Sequence, residues 1–116
     1  MQEPHQHLKN KVAVITGAAG QLGNAITHAF ANAGACVVVT DINTQRLDAL
    51  AAELDQAGVP HLCKVCDVAN SADVAALFAA AREKFGTVHV LVNNAAIVPE
   101  LPDDAARRAK HYGYLT

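Results

Sequence analysis

Three glycines carry the first chemical signal. They stand in the run Thr16-Gly17-Ala18-Ala19-Gly20-Gln21-Leu22-Gly23, between an apolar strand-like segment and a helix-like one. Glycine at such a junction lets backbone come close to a bound anion. The helix that starts there offers free N–H groups and the positive end of its dipole to a phosphate. Gly23 would also let that helix pack tightly. Asp41 follows at roughly the 20-residue interval expected for a ribose-binding carboxylate. A carboxylate at that place accepts hydrogen bonds from both ribose hydroxyls and repels a 2′-phosphate. Asp67-Val68 supplies an acceptor for a purine amino group and an apolar flank for its ring. Asn93-Asn94-Ala95-Ala96 places two amides where they can tie neighbouring backbone, and small residues where a ligand needs room. Taken singly, each of these also reads as an ordinary turn.

These residues need a frame, and the apolar pattern supplies one. Lys11 to Thr16, Cys36 to Thr40, His61 to Cys66 and Val88 to Asn93 are short runs of the kind buried on both faces of a parallel sheet. Between the first two, Leu22, Ala25, Ile26, Ala29, Phe30 and Ala33 recur at helical spacing and predict the inner face of a helix closed by Gly34. Asn43 or Thr44 caps a second helix reaching about Ala57, with Leu47, Leu50, Ala51 and Leu54 inward. Asn70 and Asp73 form a capping pair for a third, with Val74, Leu77, Phe78, Ala81 and Phe85 inward and Gly86 at its end. The alternation β-α-β-α-β-α-β implies an α/β fold: a three-layer, doubly wound parallel sheet with strand order 3-2-1-4. Each motif then falls at the C-terminal end of a strand, where such sheets bind ligands.

The chain has 116 residues, enough for one domain and one core. Its expected organisation is a polar leader at 1–10, a Rossmann-type half-domain at 11–98, and a loop with a short helical tail at 99–116. Hydrophobic residues are 52% of the chain, which argues against disorder, and aromatics only 4%. Small side chains, alanine above all, suit close packing of helices on a sheet. The net charge of −2 and the absence of a basic stripe exclude nucleic acid and anionic membrane as expected partners. No apolar run approaches the ~18 residues of a span, and the first eleven residues lack a signal-peptide core. The cytoplasm is the expected compartment. Cys63-Lys64-Val65-Cys66 is formally a metal or redox spacing, and His61 lies nearby. On a strand, though, positions 63 and 66 face opposite ways. His5-Gln6-His7 reads as part of a solvated tail.

The set Thr16-Gly17, Gly20, Gly23, Asp41, Asp67-Val68 and Asn93-Asn94-Ala95-Ala96 resembles the N-terminal half of the short-chain dehydrogenase/reductases, over about residues 8–98. The resemblance implies a nicotinamide dinucleotide cofactor. The segment Gly17, Gly20, Gln21, Leu22 and Gly23 would hold its pyrophosphate, and Asp41 with Ile42 its adenosine ribose. Asp67 and Val68 would hold the adenine. Asn93 and Ala95 would stand beside the nicotinamide-side ribose. Asp41 favours NAD over NADP.

The chain departs from the family pattern in two ways. Gln21 stands where the family's short branch has glycine, and Gly20 gives the spacing of the extended branch of sugar-nucleotide epimerases and dehydratases. The family's Ser and Tyr-x-x-x-Lys set is missing: Tyr112 is followed four residues on by Thr116, and no catalytic residue is assigned. His111 beside Tyr112 is not read as catalytic. The expectation is therefore a truncated, inactive oxidoreductase. The alternatives are a non-catalytic nucleotide-binding module, an extended-branch fragment, or another Rossmann-like fold such as a methyltransferase. The fourth strand is expected to present an unpaired apolar edge prone to self-association.

Overall fold

A computed structural model describes residues 6–95 of the chain. Ala96, the loop and helix expected after it, and His111 and Tyr112 lie outside the described residues. Seven elements alternate: β1 (Val12–Ile15), α1 (Gln21–Asn32), β2 (Cys36–Val39), α2 (Thr44–Gln56), β3 (His61–Cys63), α3 (Ser71–Phe85) and β4 (Val90–Val92). The four strands form one parallel sheet in the order β3-β2-β1-β4, as the element pattern implies.

Side-chain alternation along the strands divides the core in two. On one face Ile15, Val37 and Val39 meet Leu47, Leu50 and Leu54 of α2, with Ile26 and Phe30 of α1 packed alongside. On the other, Val12, Val14 and Val38 meet Leu77 and Ala81 of α3. Leu50 and Leu54 are almost fully buried. Each stabilises the fold by about 2 kcal/mol through area removed from water. β1 and β2 are covered on both faces, which is why they read as continuous apolar runs.

α1 packs only in part as its apolar spacing predicts: Ile26 and Phe30 face the core, but other positions do not. Leu22 is 65% exposed, and Ala25 and Ala29 also face solvent. The buried positions are Gly23 and Thr27. Close approach selects small residues there, and Thr27 satisfies its hydroxyl by donating to Gly23 O at 2.8 Å. Alanine, being small and weakly apolar, marks neither face.

Two strands are shorter than their apolar runs. β3 spans only His61–Cys63, although its ladder to β2 carries one bond further, from Lys64 N–H to Val39 O at 3.1 Å. β4 begins only at Val90. The N–H of Val12 donates to His89 Nδ1 at 3.0 Å, so a ring stands in for a strand partner. Before β1, residues 6–10 are not free chain. Leu8 packs against the first core cluster, and its N–H donates to Ala33 O at 2.8 Å. His7 stays exposed.

Candidate functional site

α2 and α3 begin on asparagine caps. Asn43 Oδ1 accepts from Arg46 N–H and Asn70 Oδ1 from Asp73 N–H, both at 3.0 Å. Asp73 does not close the expected reciprocal pair; its carboxylate accepts from Asp67 N–H at 3.0 Å instead. α1 differs from both. Its cap is Gly20, and no side chain caps it. Asn24 N–H makes the first helical bond, to Gly20 O at 2.8 Å. The N–H groups of Gln21, Leu22 and Gly23 are thus the open donors of the first turn, at the positive end of the helix dipole.

The turn before them is shaped by close approach. Gly17 has φ of +61°, and a Cβ there would lie 3.0 Å from Ala95 Cα. A Cβ on Gly23 would lie 2.0 Å from Gly17 O, so the helix start sits directly on the turn. A Cβ on Gly20 would meet only Gly17 O, at 3.6 Å. The departure at 20 and 21 is therefore accommodated. Gly20 has an ordinary φ of −73°, and Gln21 is exposed.

Thr16 ties this turn to the end of β4. Its hydroxyl oxygen accepts from Asn94 N–H and Ala95 N–H, each at 3.0 Å, and lies 3.3 Å from Asn93 Oδ1. Asn94 Nδ2 donates to Gly17 O at 3.2 Å. The consecutive amides do tie neighbouring backbone, through Asn94. The role of Thr16 as the common acceptor was not legible from its type, because a threonine ending a β-run is ordinary on propensity alone.

Asp41 braces the other side. Its two carboxylate oxygens accept from Ala19 N–H at 3.0 Å and Asn43 N–H at 2.9 Å. An ionised carboxylate has further lone pairs, so these bonds leave capacity for a ligand hydroxyl. Asp67 folds its own turn, accepting from Ala69 N–H at 2.9 Å.

Between these groups, at the C-terminal ends of β1, β2 and β3, lies a cavity of about 560 Å³. That is within the range of small-molecule sites. Seven of the sequence candidates line it: Gly17, Gly20, Asp41, Ile42, Asp67, Val68 and Ala95. Gln21 and Leu22 sit exposed on the helix turn, and Gly23 lies beneath it. Asn93 lines an adjoining cavity of about 340 Å³, with Thr16, Leu77 and Leu91. Arg46, expected to be a solvated helix residue, borders the larger cavity. Thr40 and Cys66 line it too and were not among the candidates.

The cysteines are free thiols. Cys63 packs against the α1 and α2 face and Cys66 against the α3 face, so the pair does not converge. Burial, with Asp48 and Asp55 adding to it, pushes the Cys63 thiol up to about 11. Burial and then Asp73 also push Cys66 up, while the Thr40 hydroxyl works the other way. No helix among the described residues is long and apolar enough to cross a membrane.

A family model described as short chain dehydrogenase matches residues 11–112. The chain is 43% identical over 91 residues to a short chain dehydrogenase/reductase of Colletotrichum higginsianum, covering 78% of this chain and 34% of that protein. It is 40% identical over 95 residues to a D-threitol dehydrogenase of Mycolicibacterium smegmatis, covering 82% and 36%. Among solved structures it is similar to a short chain dehydrogenase/reductase from Burkholderia phymatum in complex with NAD. The TM-score is 0.76 at 40% identity, over 78% of this chain and 32% of that one. The chain spans about a third of the length of these two curated relatives. By its motifs, its sheet order and a family match over most of its length, the chain belongs to the short-chain dehydrogenase/reductase family.

Proposed function

We propose that these 116 residues form the adenosine- and pyrophosphate-holding part of a nicotinamide dinucleotide site. The observation that carries this is the uncapped N-terminus of α1 opening beside a cavity flanked by Asp41 and Asp67. The open N–H groups of Gln21, Leu22 and Gly23, with Gly17 and Gly20 keeping the turn bare, suit a pyrophosphate. Asp41 accepts from the ribose hydroxyls while it holds Ala19 in place, with Ile42 beside it. Asp67 accepts from the adenine amino group, and Val68 flanks the ring. Asn93 and Ala95 border the continuation of the site toward the second cavity.

The dinucleotide, when bound, supplies the hydride exchange that interconverts an alcohol and a carbonyl in this family. The residues around the cavity bind and orient it. The chain contains no Tyr-x-x-x-Lys spacing, so we propose binding without turnover by these 116 residues alone. Asp41 favours NAD over NADP, and Arg46 at the cavity border tempers that preference. The free thiols suit a reducing compartment, hence the cytoplasm. Among the described residues β4 is an edge strand, with Leu91 53% exposed, and it is proposed as a surface for self-pairing.

Titration of the chain with NADH, followed by its fluorescence, tests the reading. Saturable binding at least about tenfold tighter than for NADPH is expected, since repulsion of one buried phosphate is worth at least that factor. An absence of saturable binding to either overturns the dinucleotide reading. Equal binding overturns only the preference.

A further inference from the structure

Thr40 is an anomaly in the core. Its side chain is fully buried, and among the described residues its hydroxyl makes no hydrogen bond of good geometry; the thiol of Cys66 beside it, a weak acceptor, is all that it meets. Its backbone is fully engaged, with N–H donating to Ile15 O at 3.1 Å and the carbonyl accepting from Ala18 N–H at 3.0 Å. The other two buried threonines differ. Thr16 accepts from two N–H groups, and Thr27 donates within its helix. A buried hydroxyl without a partner destabilises the fold, and the three preceding residues are all valine. A fourth valine would fill the place without that cost.

The position of Thr40 gives the hydroxyl a use. It lines the same cavity as Asp41 and Asp67. It immediately precedes Asp41 in the chain, as its cavity neighbour Cys66 immediately precedes Asp67. Thr40 therefore borders the same cavity as the two carboxylates proposed to hold ribose and adenine. Its cavity neighbour Cys66 offers only a weak S–H donor.

We infer that the Thr40 hydroxyl is a ligand-binding group that donates a hydrogen bond, directly or through one ordered water, to an acceptor on the adenosine part of the dinucleotide. The inference rests on the dinucleotide reading above and adds a specific contact to it. The free protein holds the group buried with no partner stronger than the Cys66 thiol, so most of its bond is gained on binding.

Calorimetric titration of the full 116-residue chain with ADP-ribose, which lacks the nicotinamide, tests it together with thermal melting of the free protein. Three variants are compared with wild type: Thr40→Val, Thr40→Ala and Thr40→Ser. Thr40→Val is expected to bind ADP-ribose about tenfold more weakly, the usual worth of one buried hydrogen bond. Its free protein should melt at the same temperature as wild type or higher. Thr40→Ala should show a similar loss of affinity, and Thr40→Ser should recover most of it. Thr40→Val binding as wild type does overturns the inference. So does a loss shared by Thr40→Val and Thr40→Ser with lowered melting, which marks packing alone. Failure of the wild-type chain to bind ADP-ribose overturns the dinucleotide reading, and the inference with it.

Discussion

Replacing Thr16 by valine should unfasten the glycine turn from the end of β4. Valine keeps the shape and the β-branch but removes the oxygen that accepts from Asn94 N–H and Ala95 N–H, each at 3.0 Å. Thr16 is only 6% exposed, so water cannot readily replace it. Each orphaned N–H costs about 1 kcal/mol at the low end of the range for buried groups, and roughly 3 at the high end. The lining near Ala95 is partly open, so the low end applies and the pair costs about 2 kcal/mol. The extra methyl returns at most about 0.8 kcal/mol, leaving a net loss of about 1–2 kcal/mol. For a domain of this size that is a fall in Tm of roughly 5–15 °C. Urea denaturation gives the check, with Thr16→Ser as the control that keeps the oxygen and loses only the methyl. Thr16→Val should have the lower midpoint of the two at unchanged slope. A Thr16→Val protein as stable as Thr16→Ser would refute the reasoning, because the acceptor would then carry no weight.

Other substitutions separate the fold from the site. Gly23→Ala places a Cβ 2.0 Å from Gly17 O, against backbone that cannot swing aside, and should destabilise by about 3 kcal/mol or more in urea melts. Gly20→Ala meets nothing closer than 3.6 Å and should leave stability within about 0.5 kcal/mol of wild type, yet weaken NADH binding because its methyl enters the cavity. His89→Phe leaves the Val12 N–H without its ring acceptor and should cost about 1–2 kcal/mol; no change in the melt would mean that the 3.0 Å contact is incidental. Cys63 predicts alkaline sensitivity. Its thiol ionises near about 11 when folded but at the ordinary value of 9.0 when unfolded, so its contribution is complete below that lower value and is lost as pH rises through the upper one. The urea midpoint of wild type should fall more steeply from about pH 9 to about pH 11 than that of Cys63→Ala, and equal slopes would contradict the burial assigned to Cys63.

The sheet and its order were legible because β1 and β2 are buried on both faces and announce themselves as apolar runs, while Gly34 and Gly86 mark two helix ends. The acidic residues were legible by interval alone. What was not legible came from groups whose role depends on a distant partner. The packing face of α1 was legible at Ile26 and Phe30 but not at Gly23 and Thr27, which are buried for their small size and for a hydroxyl turned inward that apolar periodicity cannot register. Leu8 read as part of a polar leader because its neighbours are polar, although one apolar side chain and one N–H suffice to dock the segment. Arg46 and Thr40 reached the cavity through the path of the chain after β2.

Amide NMR of the 116-residue chain during titration with NAD locates the ligand most directly. The expected result is saturable shifts in Gly17 to Gly23, Asp41, Ile42, Asp67, Val68 and Asn93 to Ala95, with the outer faces of α2 and α3 unmoved. Shifts confined to those outer faces, or none at saturating NAD, would contradict the assignment of the cavity beside α1 as a dinucleotide site.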